Sequence, residues 1–162
     1  MFVLIYPLVN NWLEPTGCVT GSTTQIGYDP NAPTVALDAS IQSITTPANG
    51  SSSCETTYTP VVVLRNNGST TLTSCTIRYS LDGAPLTNQS WTGSLASGAS
   101  TSVTLPNFTV AAGAHTYYAA TNLPNGGTDQ NTTNDDETNS FTVNAFTIFN
   151  LWYSARYFIL SK

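Results

Sequence analysis

Apolar and polar side chains alternate over short stretches through most of the middle of this chain, which is the signature of half-buried β-strands. The clearest stretch is 75–81, where Cys75, Ile77, Tyr79 and Leu81 fall on one face and Thr76, Arg78 and Ser80 on the other. Ahead of it, residues 58–65 carry Val61, Val62, Val63 and Leu64, a continuous apolar run of the kind that fills a sandwich core. Asn66-Asn67-Gly68-Ser69 ends that run with residues that tolerate positive φ. Asp82-Gly83 follows Leu81 and predicts a tight type I′ hairpin, because both central residues of that turn need φ > 0. Residues 85–91 are then the returning arm.

The same reading extends in both directions. Residues 35–44 form the first strand, with Val35, Leu37, Ala39 and Ile41 on one face and Ala36, Asp38, Ser40 and Gln42 on the other. Beyond the hairpin, 92–98 is a glycine-bounded turn, and 100–105 is a strand with Val103 and Leu105 inward, closed by Pro106. Phe108 and Val110 mark a short edge, and 115–121 sets Tyr117, Ala119 and Thr121 opposite Thr116, Tyr118 and Ala120. Residues 138–143 are the last strand. About seven short strands, with turn signals roughly every 8–12 residues and no amphipathic helix, predict an all-β fold: an antiparallel immunoglobulin or fibronectin III-like β-sandwich over 34–144.

The flanks read differently. Residues 1–33 contain Pro7, Pro15, Pro30 and Pro33, which exclude a long helix and leave an extended lead-in or the edge of a neighbouring domain. Residues 145–162 are aromatic, and Phe146, Phe149, Trp152, Tyr153 and Tyr157 suit an added strand or interface segment; an amphipathic helix and a membrane contact are the alternatives. The 16 residues of 145–160, interrupted by Arg156, are short of the roughly 20 that a bilayer span requires. Residues 1–9 are apolar but lack a basic start and a small-residue cleavage site, so the expectation is a mature piece or fragment of a longer secreted chain.

Composition sharpens the class. Charged residues make up 8% of the chain against 40% apolar, a balance usual for secreted or surface β-proteins rather than cytosolic enzymes. A net charge of −5, with Arg65, Arg78, Arg156 and Lys162 as the only basic side chains besides the histidine, argues against nucleic acid and against an anionic membrane surface. Cys18, Cys54 and Cys75 allow three single bridges. The preferred pair is Cys54–Cys75, across adjacent strand ends, where a loop of about 20 residues would stabilise by roughly 3 kcal/mol; two unpaired thiols acting as small apolar fillers are the alternative.

Few residues carry chemistry. The sole histidine, His115, has no HExxH partner, no second histidine and no GxSxG elbow beside it, so it reads as structural and no catalytic residue is assigned. The loop 129–137 holds four carboxylates and three amides, and a hard cation takes six to eight oxygen ligands. Asp129, Asn131, Asn134 and Asp135 are the candidate Ca²⁺ ligands, with a solvated turn as the plain alternative. Trp91 is either a sugar-stacking platform or a core plug, and Tyr118 faces away from Tyr117 onto a candidate binding surface. Five N-x-S/T sequons, at Asn49, Asn67, Asn88, Asn107 and Asn131, are expected by chance in so Asn- and Ser/Thr-rich a chain.

One longer set of residues carries a resemblance. Thr59-Pro60-Val61-Val62-Val63-Leu64-Arg65-Asn66-Asn67-Gly68, Leu72-Thr73-Ser74, Tyr79, Asp82-Gly83, Trp91-Thr92-Gly93-Ser94-Leu95, Val103-Thr104-Leu105-Pro106, Gly113-Ala114-His115-Thr116, Pro124-Asn125-Gly126, Asp129 and Asn134-Asp135 together resemble a CARDB (cell-adhesion-related domain of bacteria) module. The resemblance covers about 35–143. It implies an immunoglobulin-like accessory module of secreted multidomain Bacteroidota proteins exported by the type IX pathway, beside peptidase, adhesin or carbohydrate-active domains. The role so implied is a non-catalytic extracellular or cell-surface spacer, adhesion or protein-interaction module within a larger assembly. The alternatives are a filament or complex subunit, a homo-oligomer joined through apolar terminal strands, and a calcium-dependent carbohydrate-binding domain.

Overall fold

The computed structural model describes residues 35–146 of the chain. Ten strands run in the order β1 (Ala39–Thr46), β2 (Ser51–Ser53), β3 (Thr57–Tyr58), β4 (Val61–Asn66), β5 (Leu72–Leu81), β6 (Thr87–Leu95), β7 (Ser100–Thr104), β8 (Phe108–Thr109), β9 (Gly113–Asn122) and β10 (Asp136–Val143). Seven of them have five residues or more, and the other three are short edges of two or three. The only helical piece among the described residues is a 3-10 turn at Pro124–Gly126. The architecture is the all-β sandwich that the alternation predicts.

Two sheets make up the sandwich. One is β1-β4-β7, the other β2-β10-β9-β5-β6, with β3-β8 as a separate two-stranded ribbon. All pairings are antiparallel except β2 on β10. Between the sheets lie Ile41, Ile44, Val62 and Leu64 from the first, and Leu72, Cys75, Ile77, Tyr117, Ala119, Phe141 and Val143 from the second. In β4 only Val62 and Leu64 reach this core, while Val61 and Val63 are half-buried on the other face. The run of four apolar residues is therefore an alternating strand after all, with its outer face only partly covered.

An aromatic file strengthens one end of the interior. Tyr79, Tyr117, Phe108 and Tyr58 stack in succession, with centroids 6.2, 5.3 and 5.5 Å apart, and Phe141 meets Tyr58 edge-on at 5.0 Å. Ribbon β3-β8 supplies two of these rings, which is why so short a pair of strands holds its place.

Three local expectations change. The first strand begins at Ala39, not at residue 35, and bulges after Ile41 and Ile44 break its two-residue period. Ahead of the first bulge, Ala39, Ser40 and Ile41 are consecutively buried, because the β9–β10 loop lies against this stretch. The glycine-bounded turn placed at 92–98 is shorter, because β6 continues to Leu95. At Asn66-Asn67-Gly68 no residue has positive φ. There the buried Asn66 amide donates to the carbonyls of Thr70 and Leu95, both at 2.9 Å, and its oxygen accepts from Gly68 N. Gly68 is required for space: a Cβ there would run into the Ala36 carbonyl and the Asp38 amide. The Asp82-Gly83 turn behaves as predicted, with φ of 51° and 72°.

Candidate functional site

The acidic loop joins the last two long strands of the larger sheet and lies against the chain as it enters β1. Gln130 Oε1 accepts from the backbone amides of Ala36 and Leu37 at 2.7 and 2.9 Å, and the Gln130 amide donates to the Leu37 carbonyl. Asp129 Oδ2 accepts from Ala39 N at 2.9 Å, while its Oδ1 accepts from Asn131 N. Further along, the Asp135 carbonyl accepts from Ile41 N and Thr121 N. The loop thus takes up donors that β1 leaves free at its entry, as buried backbone groups require.

Asp38 belongs to this cluster, although its place in the sequence gives no hint of it. It is 4% exposed, and its carboxylate accepts from Asn131 Nδ2 at 3.3 Å and from Asn134 Nδ2 at 3.1 Å. The partners stand 93 and 96 residues away along the chain, so spacing alone could not reveal them. Asp38, Asp129 and Asp135 are each buried where the β9–β10 loop meets the start of β1. Burial pushes the Asp135 carboxyl up to about 6, helped by the charges of Asp129, Asp38 and Asp136 and opposed by Arg78.

Of the four predicted calcium ligands, Asn134 reaches Asp38 through its amide nitrogen, Asp129 accepts from Ala39 N and Asn131 N, and Asp135 meets β1 through its backbone carbonyl. Asn131 differs: its side-chain oxygen accepts from Thr133 Oγ1 at 2.7 Å and its amide supports Asp38, so it braces the loop. Among the described residues no three His, Cys, Asp or Glu side chains are placed so that they could hold a metal ion.

His115 forms the other polar centre. Its Nδ1 lies 2.8 Å from Asp82 Oδ2 and its Nε2 lies 2.9 Å from the Ala111 carbonyl. Both neighbours are acceptors, so both contacts are satisfied only when each ring nitrogen carries a proton. These contacts with Asp82 first and Ala111 next hold the imidazole above its ordinary value. Burial works to raise the Asp82 carboxyl, but the His115 hydrogen bond and the Thr116 amide outweigh it and leave the group lowered. A hollow of about 250 Å³ opens beside this pair.

The preferred disulfide does not form. Cys54 is exposed just past β2, Cys75 is buried in β5, and both are free thiols. In the sheet order β2-β10-β9-β5, two strands separate them. At about 4.8 Å per strand their backbones stand some 14 Å apart, beyond the roughly 7 Å that a bridge can span. Cys18 lies outside the described residues.

Trp91 packs partly buried on the core, with its indole over Gly93, where a Cβ would come within 2.6 Å of the ring. It is a core plug and offers no free stacking face at that point. Tyr118 is half-buried and Tyr117 buried, on opposite faces of β9 as predicted. Phe146 is 80% exposed, while Phe149, Trp152, Tyr153 and Tyr157 lie outside the described residues. Among the described residues no helix is long and apolar enough to cross a membrane.

No protein-family model matches the chain, and no curated protein matches it. Solved structures do. The solution structure of the CARDB domain of a Pyrococcus furiosus protein superposes with a TM-score of 0.52 at 20% identity, covering 68% of this chain and 97% of that one. A domain of a Methanosarcina acetivorans protein with "cell surface protein" in its name gives a TM-score of 0.53 at 24% identity, covering 67% and 92%. A crystal structure of the Pyrococcus domain in complex with di-metal ions overlaps less well, with a TM-score of 0.48 at 20% identity over 72% and 97%. The likeness establishes the fold: this chain contains a β-sandwich of the CARDB kind.

Proposed function

We propose that the chain contributes a non-catalytic extracellular β-sandwich module that spaces or presents neighbouring parts of a larger cell-surface assembly. The observation that carries this reading is the sandwich shared with CARDB domains, one of them from a protein named for the cell surface. The chemistry of the chain agrees with it. The one histidine has both ring nitrogens committed to Asp82 and Ala111, and Gln130, Asp129 and Asn66 use their polar side chains to fasten the backbone. The sparse charge suits an exported surface protein. The Bacteroidota lineage and type IX export implied by the sequence resemblance belong to the same proposal.

A spacer should be monomeric on its own, with or without its aromatic tail. Sedimentation velocity on the full chain and on a version ending at Asn144 should therefore give a single monomeric species for both. Higher-order assembly by the full chain that disappears on truncation would instead identify a subunit joined through its terminal segment.

A further inference from the structure

We infer that a hollow at the hairpin end of the sandwich binds a small neutral ring that carries a carbonyl group, with the Tyr117 hydroxyl donating to that carbonyl. The hollow has a volume of about 190 Å³ and lies between the arm that enters β6 and the link from β7 to β8. Tyr117, at 1% exposed, is the most deeply buried of its walls. Tyr79, Leu81 and Phe108 are half-buried beside it, and Pro85, Thr87 and Pro106 are exposed at the mouth. The hollow therefore opens to solvent and ends on Tyr117.

Two independent observations point to a ligand. One is space: the volume is somewhat above the roughly 150 Å³ of an apolar cavity that takes up benzene. The other is an unmet donor. Tyr117 Oη has no hydrogen-bond partner among the described residues, although a buried phenol usually finds one. Phe108 and Tyr79 stack on its ring, with centroids 5.3 and 6.2 Å away and interplanar angles of 17° and 24°. With its ring faces taken, Tyr117 meets the hollow through its edge, the part of the ring that carries the hydroxyl.

The walls select the ligand. None of the lining residues is charged, so an ion entering the hollow would lose hydration and gain no counter-charge. Leu81, Phe108, Pro85 and Pro106 offer apolar contact, which a flat ring fills. The unmet group is a donor, so its match is an acceptor such as an amide or ketone oxygen. Such a site adds recognition of a small molecule to a module that otherwise spaces its neighbours.

The test titrates benzamide into the ¹⁵N-labelled full chain and follows backbone amide shifts by NMR. Benzamide should bind with a dissociation constant on the order of millimolar, the range open to a ligand of about nine heavy atoms. The shifts should centre on Leu81, Thr87, Phe108 and Tyr117. Benzoate, the same ring with a charge, should bind at least tenfold more weakly. Tyr117→Phe removes only the donor, and should fold with equal or higher Tm and bind benzamide at least fivefold more weakly. No shifts at tens of millimolar benzamide, or shifts centred elsewhere, would overturn the proposal and leave the hollow to water. A Tyr117→Phe protein that folds and binds benzamide as the parent does would overturn the role of the hydroxyl, and equal binding of benzoate would overturn the assignment to a neutral ligand.

Discussion

Two buried polar side chains of similar burial have opposite standing in this protein. Asn66 is 1% exposed and uses its whole amide, tying the turn after β4 to Leu95 across the sandwich. Tyr117 is also 1% exposed, but its hydroxyl has no hydrogen-bond partner, and burial followed by the neighbouring Tyr79 pushes its phenol well above the usual range. A buried unpaired hydroxyl costs about 1–3 kcal/mol. The ring itself is well placed between Phe108 and Tyr79. Tyr117→Phe should therefore keep the stack and raise unfolding stability by about 1 kcal/mol, measured by urea denaturation. A loss of similar size would show that the hydroxyl has a partner after all. The inward position of Tyr117 was legible from alternation, whereas the fate of its hydroxyl was not, because that depends on which atoms meet it from other strands. Asn66 shows the same limit: its place in a turn could be read, but its work as a buried amide could not.

At the scale of elements, the β5–β6 hairpin is tied down by the pair at its tip. Asp82 N donates to the Thr116 carbonyl, Asp82 Oδ1 accepts from Thr116 N at 2.8 Å, and His115 closes onto Oδ2, so the turn is fastened to the start of β9. His115 is held above the ordinary imidazole value of 6.5, so its contribution is complete below that pH and is lost as pH rises through the folded-state value. Asp82 is held below 3.8, so its contribution is present above that pH and is lost as pH falls through the lower folded value. The clasp is strongest between these limits. Raising the pH from 6 to 8.5 should cost the parent protein up to about 1 kcal/mol more than His115→Gln, since Asp82 is partly exposed and the pair is screened. Parallel pH profiles for the two proteins would show that the pair does not titrate as a unit. The hairpin was the most legible element, because Asp82-Gly83 encodes its own turn. The start of β1 was the least legible, because its bulges and buried Asp38 answer to the β9–β10 loop and to Gly68, far along the chain.

Across the whole molecule, the same division explains why a sandwich could be foreseen while the pairing of its cysteines could not. Strand number and inward faces follow from local alternation, but the sheet order β2-β10-β9-β5-β6 is a property of the assembled fold, and it puts two strands between Cys54 and Cys75. Their environments then diverge. Cys54 is exposed, while Cys75 is 4% exposed in the core, where burial pushes its thiol up to about 12. The nucleophile is the thiolate, so at pH 8 Cys75 is protected twice, by exclusion of the reagent and by the scarcity of its reactive form. Opening of the sandwich removes both protections at once, because no smaller unit covers Cys75: β6 and β9 flank it in the sheet and the inner face of β1-β4-β7 closes over it. In a protein carrying Cys18→Ser and Cys54→Ser, a thiol reagent should label Cys75 orders of magnitude more slowly in the native state than after unfolding. Its rate should climb with urea alongside global unfolding. Rapid labelling without denaturant, at a rate insensitive to urea below the transition, would mean that the core opens locally at β5 and that the two sheets are not a single cooperative unit.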